Sequence, residues 1–155
     1  MAKNNDNKKQ NKELKADLII ATYQTVKKAN LASIETLTDR LRVVDAVRVM
    51  KPVAAAFEDA METARELLKP EGYDAAVEKA RKAESDGKAN PADVAKAKAM
   101  SHEYLAAMQA DERKHLEAVH SIGLEALSKP VLEKLIEGNP AWTPEQIMTV
   151  VDVLG

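Results

Sequence analysis

The stretch DERKHLEAVH, residues 111–120, contains one short pattern twice: Glu112 to His115 and Glu117 to His120, each an E-x-x-H. In carboxylate-bridged di-metal bundles, that spacing puts a carboxylate and an imidazole side by side on a helix facing the bundle interior. Read as one helix, the stretch turns His115 and His120 away from each other by ~140°, since they are five residues apart. The two motifs therefore cannot converge on one metal within a single helix. A di-metal bundle needs such a motif from each of two helices and a glutamate from each of two more. The chain has three histidines, and the third, His102, has Ala99 at its i−3 position and completes no motif. An intramolecular ferritin-like centre is excluded on that count. A symmetric dimer supplying one motif per chain keeps Glu112, His115, Glu117 and His120 as weak metal candidates. The competing reading is a solvated helix face: Asp111, Glu112, Arg113, Lys114 and Glu117 are densely mixed in sign. On a helix His120 shares a stripe with Leu116, Gly123 and Leu127, which places it at the edge of a core.

Other chemistry lacks its residues. The SHEY segment, 101–104, begins like a zincin helix but carries Ala106 where the second histidine is needed. No phosphate-binding glycine loop, dinucleotide fingerprint or nucleophile elbow occurs. There are no cysteines, which removes thiol catalysis, disulfides and thiolate metal sites together. No catalytic residue and no cofactor are expected.

The elements that would position any site are helical. Apolar residues form 45% of the 155-residue chain and aromatics only 3%, so the core must be aliphatic, as suits closely packed helices. Residues 1–12 hold almost nothing to bury and read as a disordered basic tail, with a single helical domain over 13–155. The first helix is expected over about 13–29, and Asn30 can end it. Thr38 can cap the next. The strongest periodicity follows: Val43, Val47, Met50, Ala54, Phe57, Met61, Ala64 and Leu68 alternate in steps of four and three, a coiled-coil-like seam. Pro52 interrupts its hydrogen bonding and is expected to kink it. The helix should run from about 39 to 69, a span of ~45 Å. Further helices are expected at 73–86, 91–127, from Ser128 to Gly138, and after Thr143, where Thr143-Pro144-Glu145-Gln146 forms a capping box. No strand is evident. The fold class is all-α: an elongated bundle with two long helices (about 39–69, kinked at Pro52, and 91–127) and several shorter ones.

A long apolar seam needs a partner along its length. The 91–127 helix can supply one, but its own stripe is broken by QADERKH, residues 109–115. Val43, Val47, Met50, Phe57, Met61 and Leu68 are thus either core or an interface with another subunit.

The net charge of −2 speaks against a dedicated nucleic-acid binder, although residues 1–15 hold five lysines against Asp6 and Glu13. That tail has no arginine and no interleaved aromatics. Arg40, Arg42, Arg48 and Lys51 lie near one another, offset by Asp39 and Asp45. The start has no apolar run behind its lysines, and LIIA at 18–21 is far short of the ~20 residues of a membrane span. A soluble, cytoplasmic protein without a membrane role is expected.

The segment LTDRLRVVDAVRVMKPVAAAFEDAMETARELLKPEGYD, residues 37–74, resembles small all-helical proteins of tailed bacteriophages and prophages. In those a leucine-bearing helix leads into a long helix with a Phe-Glu pair, here Phe57-Glu58. An A..LL close follows, here Ala64 to Leu68, before a glycine turn. TPEQIMTVVDVL, 143–154, is similar to their terminal helix. The resemblance covers about half the chain. It carries no catalytic residues and no assigned activity, and implies a phage context, hence a host cytoplasm. The expectation is a non-enzymatic helical protein acting through protein–protein contacts, as an accessory, assembly or host-interaction factor and a homo-oligomer or partner binder. The alternatives are a nucleic-acid-associated protein using the basic tail, and a metal-dependent enzyme assembled across a dimer.

Overall fold

The computed structural model describes residues 9–88 and 90–155. In chain order the elements are β1 (Gln10–Lys15), α1 (Ala16–Val26), α2 (Leu37–Leu67), α3 (Tyr73–Ser85), α4 (Pro91–Glu117), β2 (Val119–Leu124), α5 (Lys129–Glu137) and α6 (Pro144–Leu154). The fold is mostly helical with two long helices, as the periodicity implies, plus one small sheet that the sequence does not announce. Where the sequence suggests one domain over 13–155, the contacts gather into two compact units. One is built from the described residues through Phe57 together with Leu116–Gly155; the other is Glu58–His115.

The first unit is closed by the sheet. β1 and β2 pair antiparallel from Gln10↔Leu124 to Lys15↔Val119, and the Ala16 amide extends the ladder to the Ala118 carbonyl at 2.9 Å. Two expectations are corrected here. The helix expected to reach residue 127 stops at Glu117, because Val119-His120-Ser121-Ile122-Gly123 is a run of weak helix formers. Gln10–Lys12, assigned to the tail, are the first half of β1, and the helix expected from 13 starts at Ala16. Positions 1–8 of the expected tail lie outside the described residues. The sheet alternates as a half-buried strand pair should. Leu14, Ile122 and Leu124 face the core, while Asn11, Glu13, Lys15, Val119 and Ser121 are exposed.

Under the sheet lies an aliphatic core. Ile19 and Val26 of α1, Val43, Ala46 and Met50 of α2, Leu132 and Leu135 of α5, and Val150, Val153 and Leu154 of α6 are all buried. The hydroxyl of buried Thr22 donates to the Leu18 carbonyl at 2.7 Å, so no polar atom is stranded there. α2 begins two residues earlier than the Thr38 cap implies. Thr36 is the N-cap: its Oγ1 accepts from the Asp39 amide and donates to the Asp39 carboxylate. α2 continues through Pro52, which is exposed. The capping box at Thr143 and Gln146 forms as its sequence dictates. At the other end of α6 the Lys12 ammonium donates to the carbonyls of Val153 and Gly155 at 3.1 and 3.0 Å, satisfying oxygens that the helix itself leaves unpaired. Asn139 ties the loop after α1 to α5. Its Oδ1 accepts from the Asn30 amide, and its Nδ2 donates to the carbonyls of Asn30 and Leu135.

The second unit has a thinner core. Its buried side chains among the described residues are Met61, Ala64, Ala80 and Ala97, three of them alanine. Tyr104 compensates in part: its hydroxyl donates to the Arg65 carbonyl at 2.7 Å, and its ring lies 5.2 Å from that of Tyr73. Gly72 turns the chain into α3 with φ of 76°, a conformation glycine adopts without strain.

Two stability outcomes follow. Leu135→Ala should destabilise by ~2–5 kcal/mol and Asn139→Ala by ~1–2 kcal/mol, read from urea midpoints. Amides of α3, with one buried side chain, should exchange with solvent well before those of α5 and α6; equal protection measured by mass spectrometry would contradict the burial pattern.

Candidate functional site

The two E-x-x-H units do not sit on one helix. Glu112 and His115 are on α4, Glu117 is its last residue, and His120 is on β2, where it stands opposite Leu14. The helical angle between His115 and His120 therefore does not apply; the change from helix to strand separates the motifs instead. His115 Nε2 lies 3.4 Å from Asp111 Oδ2, one helical turn back, an ion pair only when the imidazole is protonated. Both line a cleft of about 360 Å³ in the second unit, with Asp59, Thr63 and Leu67 from the end of α2. Glu112, the carboxylate of the motif, is exposed and does not line it. Among the described residues no three His, Asp or Glu side chains come together as a metal site.

A larger cleft of about 480 Å³ lies between α3 and α4. Its floor is Val77, Ala80, Val94 and Ala97, and Arg81, Lys98 and His102 stand on its rim. Nearby, the Asp74 carboxylate hydrogen-bonds the Lys69 ammonium at 3.3 Å. That bond and its charge, with Glu66 adding to them, hold Lys69 above the usual lysine range. Any stabilisation from this pair is present below the ordinary lysine pKa and is lost as pH rises through the raised value.

The arginines of DRLRVVDAVRVMK are engaged within the first unit. Arg40 Nε donates to the Ile34 carbonyl at 2.7 Å. Arg42 bridges Asp39 at 2.9 Å and Glu125 at 3.2 Å. Arg48 pairs with Asp45 at 3.1 Å. Of the amino-terminal lysines, Lys12 is committed to the end of α6.

The seam residues are inward-facing. Val43, Met50 and Met61 are buried, and Val47, Phe57 and Leu68 are half-buried. The exposed apolar stripe of α2 is a different one: Leu37, Leu41 and Val44 are 69%, 50% and 39% exposed. They are spaced i, i+4, i+7 and so share a face. This row runs one residue ahead of the seam, about 100° around the helix. It continues into Arg48 and Lys51, so its apolar part covers only the first two turns. A stripe of two turns is too short for periodicity alone to separate it from the core row beside it.

Comparison of the chain with protein-family models, with curated proteins and with solved structures finds no match. No described helix is long and apolar enough to cross a membrane.

The geometry makes a metal outcome testable. Elemental analysis of purified protein should find no stoichiometric iron, manganese or zinc, and a chelator should leave the melting temperature unchanged. Near-stoichiometric metal that disappears in His115→Ala would reinstate the E-x-x-H reading.

Proposed function

We propose that the protein works through protein–protein contacts, with the first two turns of α2 as the contact face. The observation that carries this is the exposed row Leu37, Leu41 and Val44. Single exposed leucines are ordinary on protein surfaces, but three at helical spacing make one continuous apolar strip, the form a helix-binding face takes. Charges border the strip without interrupting it: Asp39, Arg40 and Arg42 are held in hydrogen bonds and ion pairs of the first unit. The strip is available to an apolar partner helix at little cost in desolvated charge.

The strip also falls at the start of the segment, residues 37–74, that resembles small phage and prophage proteins. That likeness supports the finer reading, an accessory, assembly or host-interaction factor without catalytic activity.

Leu41 is half exposed, so Leu41→Glu should leave the melting temperature within ~0.5 kcal/mol equivalent of the parent. It should abolish the α2-mediated complex, seen either as a lower molar mass by light scattering or as loss of a partner captured from host-cell lysate. A protein that is monomeric and captures nothing, with or without the substitution, would defeat the proposal.

A further inference from the structure

A two-stranded sheet has two outer edges, and in this protein they are chemically unequal. The Ala16 amide bonded to the Ala118 carbonyl sets the phase of the ladder. Given the register, the pairs Leu14–His120, Lys12–Ile122 and Gln10–Leu124 turn their N–H and C=O groups toward each other. The residues between them turn theirs outward: Asn11, Glu13 and Lys15 on β1, and Val119, Ser121 and Gly123 on β2. Among the described residues, none of the outward backbone groups of Val119, Ser121 or Gly123 has a hydrogen-bond partner outside the ladder. Val119 is 61% exposed and Ser121 is exposed as well.

β1 carries the features that discourage edge-to-edge pairing, with Glu13 and Lys15 on its outward residues and Lys12 between. β2, with the sequence VHSIGL, carries no Lys, Arg, Asp, Glu or Pro. We propose that β2 pairs antiparallel with β2 of a second copy, about a two-fold axis through Ser121, to make a four-stranded sheet in the order β1-β2-β2-β1. Centred on Ser121, the pairing sets Ser121 opposite Ser121 and Val119 opposite Gly123 twice over. Every outward N–H and C=O of the three residues then finds a partner. The exposed isopropyl group of Val119 lies against Gly123. There a Cβ position meets nothing within 4 Å except Asn11 Oδ1 at 3.5 Å, so the neighbouring strand has room.

Charge and closure together favour this pairing over the others. β1 on β1 about Glu13 would place two carboxylates directly opposite each other, a destabilising cross-strand pair. β1 on β2 is head-to-tail and adds strands without closing. β1 on β1 shifted to set Glu13 opposite Lys15 is also closed, but it must strip water from both charged groups. The β2–β2 pairing is closed and brings no charged side chain into the seam. It uses a surface other than the Leu37–Leu41–Val44 row and does not depend on that row having a partner.

The chain contains no cysteine, so one introduced thiol reports cleanly. Across the proposed axis the two Ser121 Cα atoms would lie about 5.5 Å apart, within the usual disulfide span. Full-length Ser121→Cys under mild oxidation should give a covalent dimer on a non-reducing gel. Glu13→Cys, on the same face at the protected edge, should give no covalent dimer. In the Leu41→Glu background, where the α2 row is disabled, Ser121→Lys, which opposes two ammonium groups, should convert the remaining dimer to monomer by light scattering with an unchanged circular dichroism spectrum. The Ser121→Cys cross-link should form equally well in the Leu41→Glu background. The proposal is overturned if Ser121→Cys cross-links no faster than Glu13→Cys, if Ser121→Lys in the Leu41→Glu background leaves the dimer intact, or if Leu41→Glu removes the cross-link.

Discussion

The antiparallel pairing of β1 with β2 is the constraint on which the first unit rests. It joins Gln10 to Leu124 across most of the chain, and the unit it closes is discontinuous in sequence. Only with that ladder formed can Leu14, Ile122 and Leu124 roof the aliphatic core. The same strand carries Lys12 to the last carbonyls of α6. Such pairing brings a large loop-closure cost before any contact is gained, so it must form together with the helices it covers.

The second unit depends on less. Alanines at Ala64, Ala80 and Ala97 let helix backbones approach closely but contribute little apolar area each. The Tyr73–Tyr104 contact and the Tyr104 bond to Arg65 supply what the small side chains do not. The cleft between α3 and α4 follows from the same economy: Ala80 and Ala97 leave space that the long side chains of Arg81 and Lys98 do not fill.

The histidines singled out by their spacing lie in elements of different kinds. His115 has one nearby carboxylate, Asp111, and His120 belongs to a different kind of element. What the fold presents outward is an apolar row on α2 and an uncharged strand edge on β2. Under the association proposed above, the first would act by side-chain burial and the second by backbone hydrogen bonding.

Much of the helical framework was legible in the sequence because its signals are local. The period of Val43, Val47, Met50 and Ala54, the Asn90-Pro91 start of α4 and the Thr143–Gln146 box each act within a few residues. Of the site candidates, the seam was legible as a row of apolar residues but not as core or interface, since that depends on which neighbours arrive. Leu37, Leu41 and Val44 went unmarked for the same reason: one step around the helix separates a buried row from an exposed one. The sheet was illegible because strand pairing is non-local. QNKELK has no strong strand propensity, and VHSIGL is short enough to pass for the end of a helix. The sequence alone determined which segments are helical and the starts at Asn90-Pro91 and Thr143, which short-range hydrogen bonds and periodicity specify. Only the tertiary structure decided the sheet, the buried row and the exposed edge, because each is set by residues distant in the chain, in the sheet by more than a hundred positions.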